Sequence, residues 1–203
     1  MDITQLILDD HQEQRRLFAI LEQIERDRVD ALGPIWDRLA DFLEVHAEAE
    51  ERHFYPALLK VGTGAGGRPS ADAETEHAIK DHNEIRQAVA AVAGHAIGSD
   101  AWFDAVAAAN KANSDHMAEE EREGLADFRD NADVQARHDL AVAFGTEAGL
   151  FQKAGIPTVV CGPGHIAQAH QADEYVSLAQ LAGAERFLLA LVDKRLSTVL
   201  PQR

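Results

Sequence analysis

Four histidines recur at near-constant intervals along the chain, His11, His46, His82 and His116, separated by 35, 36 and 34 residues. Two of them carry a glutamate four residues later, Glu50 after His46 and Glu120 after His116. Imidazole mixed with carboxylate suits iron, manganese or zinc, and the pattern contains no thiolate to favour a softer ion. The spacing alone is weak: with 10 His and 17 Glu in 203 residues, about one His-x-x-x-Glu arises by chance, and the chain holds three. The register carries more. Each of the four histidines falls midway along its own expected helix, and the two useful glutamates fall on alternate ones.

Apolar periodicity places helices near 4–27, 34–61, 72–97 and 100–129, each longer than the usual three to four turns. Polar breaks separate them before Gly33-Pro34, from Gly62 to Pro69, and at Gly98-Ser99-Asp100. Pro34 reads as an N1 proline, Asp100 as an N-cap, and Ser70 and Asp72 as further caps. Short connections make successive helices antiparallel, so the expected fold is mainly α, an up-down four-helix bundle. At about 1.5 Å per residue, the four histidines come within one or two turns of a common level. A glutamate four residues on is rotated by only about 40° and faces the same interior side. Six donors can therefore converge: His11, His46, Glu50, His82, His116 and Glu120.

These residues carry a resemblance. Asp10-His11, Leu43 to Pro56 (LEVHAEAEERHFYP), Asp81 to Arg86 (DHNEIR) and His116 to Phe128 (HMAEEEREGLADF) resemble the hemerythrin-like cation-binding (HHE) family over about residues 1–130. The resemblance implies metal ligands at the same six positions, holding two non-haem irons bridged by the two carboxylates, with zinc or manganese as substitutes. Two imidazoles and two shared carboxylates per ion leave positions open for dioxygen or nitric oxide. Animal hemerythrins carry a fuller histidine set, and this sparser one resembles the broader bacterial group, whose tasks vary.

The neighbouring donors have plainer readings. His77, five residues before His82, is turned by about 140° and is expected to face solvent or a helix seam. His53 shares the face of His46 two turns along, where it lines the mouth of the site or caps a carbonyl. His95 and His138 read as surface residues. Glu51, Glu119 and Glu121 rotate off the inner face toward a solvated edge, Glu51 and Glu119 being the replacements if the register shifts by one residue.

The formal charge of −16 is uneven. Residues 1–143 hold 30 acidic and 14 basic side chains, a net of −16, whereas residues 144–203 hold five of each. Such a surface repels nucleic acid and anionic membrane alike. No apolar stretch approaches the roughly 18 residues of a membrane span. The start MDITQLILDDH lacks a basic segment and a cleavage site, and Cys161 is alone, so cytoplasm is the expected compartment.

Residues Asn131 to Phe144 read as a short fifth helix closing a first domain, 1–143. In 144–203, glycine and proline punctuate the chain, Thr158 to Cys161 reads as a strand, and Asp173 to Arg195 as a helix, a small α/β appendage. A lone strand cannot pair its own backbone, so three states are open to this segment: partial disorder, docking on the bundle, or pairing with another chain, a second copy in a homodimer being one. Phe144 to Val192 is similar to the C-terminal end of the acetylornithine deacetylase and succinyl-diaminopimelate desuccinylase family of zinc aminoacylases, most densely at GTEAGLF, GIPTVVCGPG and AH-x-x-DEY. The resemblance implies a zinc ligand at His170. The chain departs from it at Ala172, where the family carries proline, and a His-x-Asp ligand motif occurs nowhere in it. A hydrolytic zinc site needs several ligands and a base, so the segment reads as a deacetylase-like remnant joined to the bundle by gene fusion. His165 reads as a loop residue and Cys161 as strand core.

Three functions follow as expectations. The first is a di-iron binding module that binds or senses iron, dioxygen or nitric oxide, with no catalytic residues assigned. The second is a ferroxidase or oxygen-activating enzyme at the same site. The third is a fragment of a zinc hydrolase with an incomplete active site.

Overall fold

Residues 3, 6, 7, 11, 14, 17, 18 and 21 are all buried, the three-and-four spacing of a single helix face. They belong to α1 (Ile3–Gln23), whose N-cap Asp2 accepts a hydrogen bond from the Thr4 backbone N–H. The structure, a computed structural model, describes residues 2–144, 163 and 175–199. The chain divides into two units, residues 1–150 and 151–203.

The second rod of the first unit is α2 (Val29–Ala49), a π-helical turn (Glu50–Phe54) and α3 (Tyr55–Val61) in succession. It starts five residues before the expected N1 proline, so Pro34 lies inside α2. The early start lets Leu32 become fully buried, and the Ala31 and Leu32 N–H groups bond back to the Arg28 carbonyl. Proline removes only one N–H this close to a helix start, a loss that burial of Leu32 offsets. At the far end, Pro56 cannot donate, and the wide turn just ahead of it absorbs the interruption.

Ser70 caps α4 (Ala71–Val92) by accepting from Ala73 N–H, leaving Asp72 in the first turn. Ser99 rather than Asp100 caps α5 (Asp100–Arg122), and Asp100 is its first helical residue. Between these helices Gly98 takes φ +83°, where a Cβ would also strike the Arg26 carbonyl. The expected 100–129 helix breaks at Glu123 (φ −113°, ψ −84°) and resumes as α6 (Gly124–Asn131), followed by α7 (Val134–Phe144).

Two apolar clusters fix the topology. Leu17, Phe18 and Leu21 from the end of α1 meet Leu32 and Trp36 from the start of α2, Val92 from the end of α4 and Trp102 from the start of α5. Ile3 and Ile7 from the start of α1 meet Phe54, Tyr55, Leu58, Ala71, Leu125 and Phe128. Starts pack against ends throughout, which is the up-down bundle expected of the sequence. The four histidines lie along the rods between these two clusters.

In the second unit, α8 (Leu178–Val199) carries exposed Leu178, Leu181, Phe187, Leu188, Leu189 and Leu191. The expected strand at 158–161, with Cys161, His165, His170 and Ala172, lies outside the described residues. Among the described residues, no helix is long and apolar enough to cross a membrane.

Trp102, 1% exposed and edge-on to Trp36 at 6.1 Å between ring centroids, anchors the upper cluster. Trp102→Ala is expected to cost about 3–5 kcal/mol, read from the urea midpoint by far-UV circular dichroism. A loss below about 1 kcal/mol would contradict this packing.

Candidate metal centre

The four rods bring all six expected donors into one buried cluster. Exposure is 0% at His11 and Glu50, 1% at His82, and 4–6% at His46, His116 and Glu120. His46 Nε2 lies 2.9 Å from Glu50 Oε1, and His82 Nε2 lies 3.2 Å from Glu50 Oε2. His11 Nε2 is 4.0 Å from Glu50 Oε1 and 3.4 Å from Glu120 Oε2, which is itself 4.0 Å from His116 Nε2. The His82 and His116 Nε2 atoms approach to 3.0 Å. Two triads result, His11–His46–Glu50 and Glu50–His82–His116, the donor atoms of each within 4.8 Å of one another. Glu50 belongs to both, with one oxygen on each side.

Local sequence explains how Glu50 reaches this position. It follows His46 by one turn and opens the π-helical turn, a conformation that recurs at functional sites. The same turn brings Tyr55 inward, where its hydroxyl donates to Glu120 Oε1 at 2.9 Å and lies 3.4 Å from His82 Nε2. Burial and the adjacent carboxylates push the Tyr55 hydroxyl well above its ordinary range, so it stays a neutral donor.

Each imidazole turns Nε2 inward and Nδ1 outward to a carboxylate from another rod. Asp10 on α1 meets His46 at 3.1 Å, and Glu51 of the second rod meets His82 at 2.9 Å. Asp81 on α4 approaches His116 to 3.7 Å, and Glu121 on α5 meets His11 at 2.9 Å. The contacts run in one sense around the bundle and close into a ring. An ionised carboxylate only accepts, so Nδ1 of His11, His46 and His82 donates outward, which leaves Nε2 of each facing the centre, where a proton or a metal can be held. Arg15 holds Glu121 at 2.7 Å and Arg86 holds Glu51 at 2.8 Å.

The electrostatics record a negative interior. Burial alone would depress His46, but Glu50 and Asp10 overcome it and raise its pKa to about 10. His11 is likewise raised, burial being outweighed by Glu120 and Glu121, and His82 by Glu50, Glu120 and Glu51. Burial would raise Glu50, yet His46 and His82 hold it well below the ordinary range.

Several donors remain unsatisfied. His11 Nε2, His46 Nε2, both Glu50 oxygens and Glu120 Oε2 are buried without a hydrogen-bond partner, the close approaches above lacking hydrogen-bonding geometry. Such groups are costly in an interior unless a cation takes them up. The residues present therefore fit a metal, and nitrogen and oxygen donors suit iron.

Other expectations meet mixed outcomes. His77 lies on the α4–α5 seam, 3.1 Å from Glu119, while His95 and His138 are exposed. His53 is half-buried and outside the two triads. Glu51 and Glu121 do rotate off the inner face and stay 27% and 25% exposed, and each in addition grips a histidine. The outward carboxylates and Tyr55 had no assigned role in the sequence, although a signal was present. Each carboxylate sits directly beside a cluster residue, as Asp10-His11, Glu50-Glu51, Asp81-His82 and Glu120-Glu121.

Comparison with known proteins gives two family matches. Residues 99–194 match the family described as Peptidase family M20/M25/M40. A 64-residue stretch is 52% identical to N-acetyl-L-citrulline deacetylase of Xanthomonas campestris pv. campestris, covering 32% of this chain and 17% of that protein. The chain thus spans about a sixth of the length of this relative. No solved structure matches. Residues 2–126, which contain all six cluster residues, match the hemerythrin HHE cation binding domain. The chain belongs to the hemerythrin HHE cation-binding family.

Proposed function

We propose that His11, His46, Glu50, His82, His116 and Glu120 hold two non-haem irons and that the protein binds or senses dioxygen or nitric oxide there. The observation that supports this most is the division of Glu50, one oxygen toward His46 and the other toward His82. A shared carboxylate with imidazoles on either side is the donor arrangement for a pair of ions rather than one. Bound irons would supply one-electron redox chemistry and open coordination positions. The chain's own residues orient and insulate: the outward carboxylates fix the four rings, and Tyr55 holds Glu120.

A small apolar ligand has a place to wait. A cavity of about 130 Å³ reaches His82 between Leu43, Ala47, Ile85 and Val89, with Glu44 and Arg86 among its lining residues. Its walls suit a diatomic gas better than a charged substrate. The zinc-hydrolase reading has weaker support, since the similarity to the deacetylase covers only 17% of that protein.

Metal analysis of anaerobically purified protein is expected to give two irons per chain. His46→Ala and His116→Ala lose iron, and His95→Ala keeps it. A single zinc that persists in His46→Ala and disappears in His170→Ala would favour the hydrolase reading instead. Catalytic loss of ferrous iron over many equivalents would convert the binding module into an enzyme.

Glu51→Gln keeps the size of the side chain but weakens the grip on His82. It is expected to reduce iron affinity about 10–100-fold, measured by competition with a chelator. An unchanged affinity would deny the carboxylate ring a role in holding metal.

Protons and metal compete for Nε2. In metal-stripped protein the raised His46 contributes stability fully below its unfolded pKa of 6.5, and that contribution is lost as pH rises through about 10. Glu50, depressed below 4.5, stays ionised throughout this window. The stripped protein should therefore melt at progressively lower temperature from pH 6.5 to 10, while iron affinity rises. Scanning fluorimetry across pH and proton release on loading check the two halves; a melting temperature that climbs over this window contradicts the pairing.

A further inference from the structure

A second group of donors lies on the α4–α5 seam. His77 Nε2 is 3.1 Å from Glu119 Oε2 and 3.5 Å from Asp81 Oδ2, and the three residues offer donor atoms within 4.8 Å of one another. Their side chains are 37%, 38% and 18% exposed, so the group is open to solvent but not splayed over it. One histidine and two carboxylates on adjacent rods make a donor set for a divalent cation.

The group borders a cavity that is also lined by Tyr55, His116 and Glu120 of the inner cluster. Its volume of about 20 Å³ leaves room for roughly one water-sized body. Glu74 forms part of the same wall. This carboxylate is only 6% exposed, and neither of its oxygens has a hydrogen-bond partner. Gly124 lies against it: a Cβ at that position would stand 3.3 Å from Glu74 Oε1 and 3.7 Å from Glu120 Cγ. Glu74 thus lines the same cavity as the outer group and Glu120, and a buried carboxylate without partners is costly unless positive charge accompanies it.

A resident cation already lines this cavity. Arg68 donates to Glu119 Oε2 at 2.9 Å and to Glu123. It comes from the 62–70 connection, where Gly66 (φ +62°) runs so close to the Glu123 carboxylate that any Cβ would overlap it.

We propose that His77, Asp81 and Glu119 form an outer divalent-cation site that receives a ferrous or similar ion and delivers it past Glu74 to the Glu120 side of the inner centre. Arg68 is the counter-charge on Glu119 that the arriving ion displaces. The destination rests on the di-iron reading given above; the outer site itself does not.

Stripped full-length protein is titrated with Co²⁺ by equilibrium dialysis in the wild type and in His77→Ala, Glu119→Gln and His46→Ala. The wild type and His46→Ala should bind a weaker additional ion that His77→Ala and Glu119→Gln lack, a loss of about tenfold or more in affinity. Anaerobic loading with Fe²⁺ should be about tenfold slower in His77→Ala and Glu119→Gln, with the same final iron content as the wild type. Glu119→Gln keeps the side chain's volume and guards against a folding defect in His77→Ala. A weak ion retained in both outer variants overturns the site, and a lost ion with unchanged loading rate overturns delivery. If the inner-centre reading is the one at fault, the wild type binds no tight ions while the weak ion still depends on His77.

Discussion

Negative charge gathered inside a helical bundle is the constraint to which the rest of this protein answers. Glu50 and Glu120 lie in the centre, and Asp10, Glu51, Asp81 and Glu121 stand behind the four imidazoles. An interior accepts this only where positive charge accompanies it. Arg15 and Arg86 supply some at the rim, and protons or metal supply the remainder at Nε2. The two apolar clusters above and below must be well packed because the layer between them contributes little hydrophobic burial of its own.

The sense of the carboxylate ring follows from antiparallel geometry. On α1 and α4 the carboxylate precedes the histidine it adjoins, as Asp10 and Asp81; on the second rod and α5 it follows the glutamate, as Glu51 and Glu121. Stepping back one residue on a rising helix and forward one on a falling helix turn the side chain the same way in space, by about 100°. Every carboxylate therefore leans toward its neighbour on the same side, and each rod orients a ring on the next. A rod is fixed by its neighbours' chemistry as well as by its own apolar stripe.

The sequence makes the inner layer legible because it depends only on helix period and turn position. His46 and Glu50 share a face by simple counting, and the turns at 62–70 and 98–100 set the depth of His82 and His116. The outward contacts require knowing which rod stands beside which, and in what sense, and a single helix does not contain that information. Local rules also yielded to burial: Pro34 lies within α2 because Leu32 gains a core position, and α5 stops at Glu123, where Arg68 pairs with its carboxylate. The similarity of residues 99–194 to a peptidase family overlaps α5, so the two family matches share part of the chain. That overlap is not visible in the composition, whose acidic excess ends near residue 143.

The widened turn from Glu50 to Phe54 has a consequence for what the second rod can tolerate. Above it, His46 and Glu50 must face the centre; below it, Tyr55 and Leu58 must do so too. An uninterrupted helix advances about 100° per residue and would carry the lower pair out of phase with the upper. The surplus residue resets the phase. Winding residues 50–54 as ordinary α-helix, with no change of sequence, would give a smoother rod and a worse protein, because Tyr55 would swing away from Glu120 while His46 and Glu50 stayed in place.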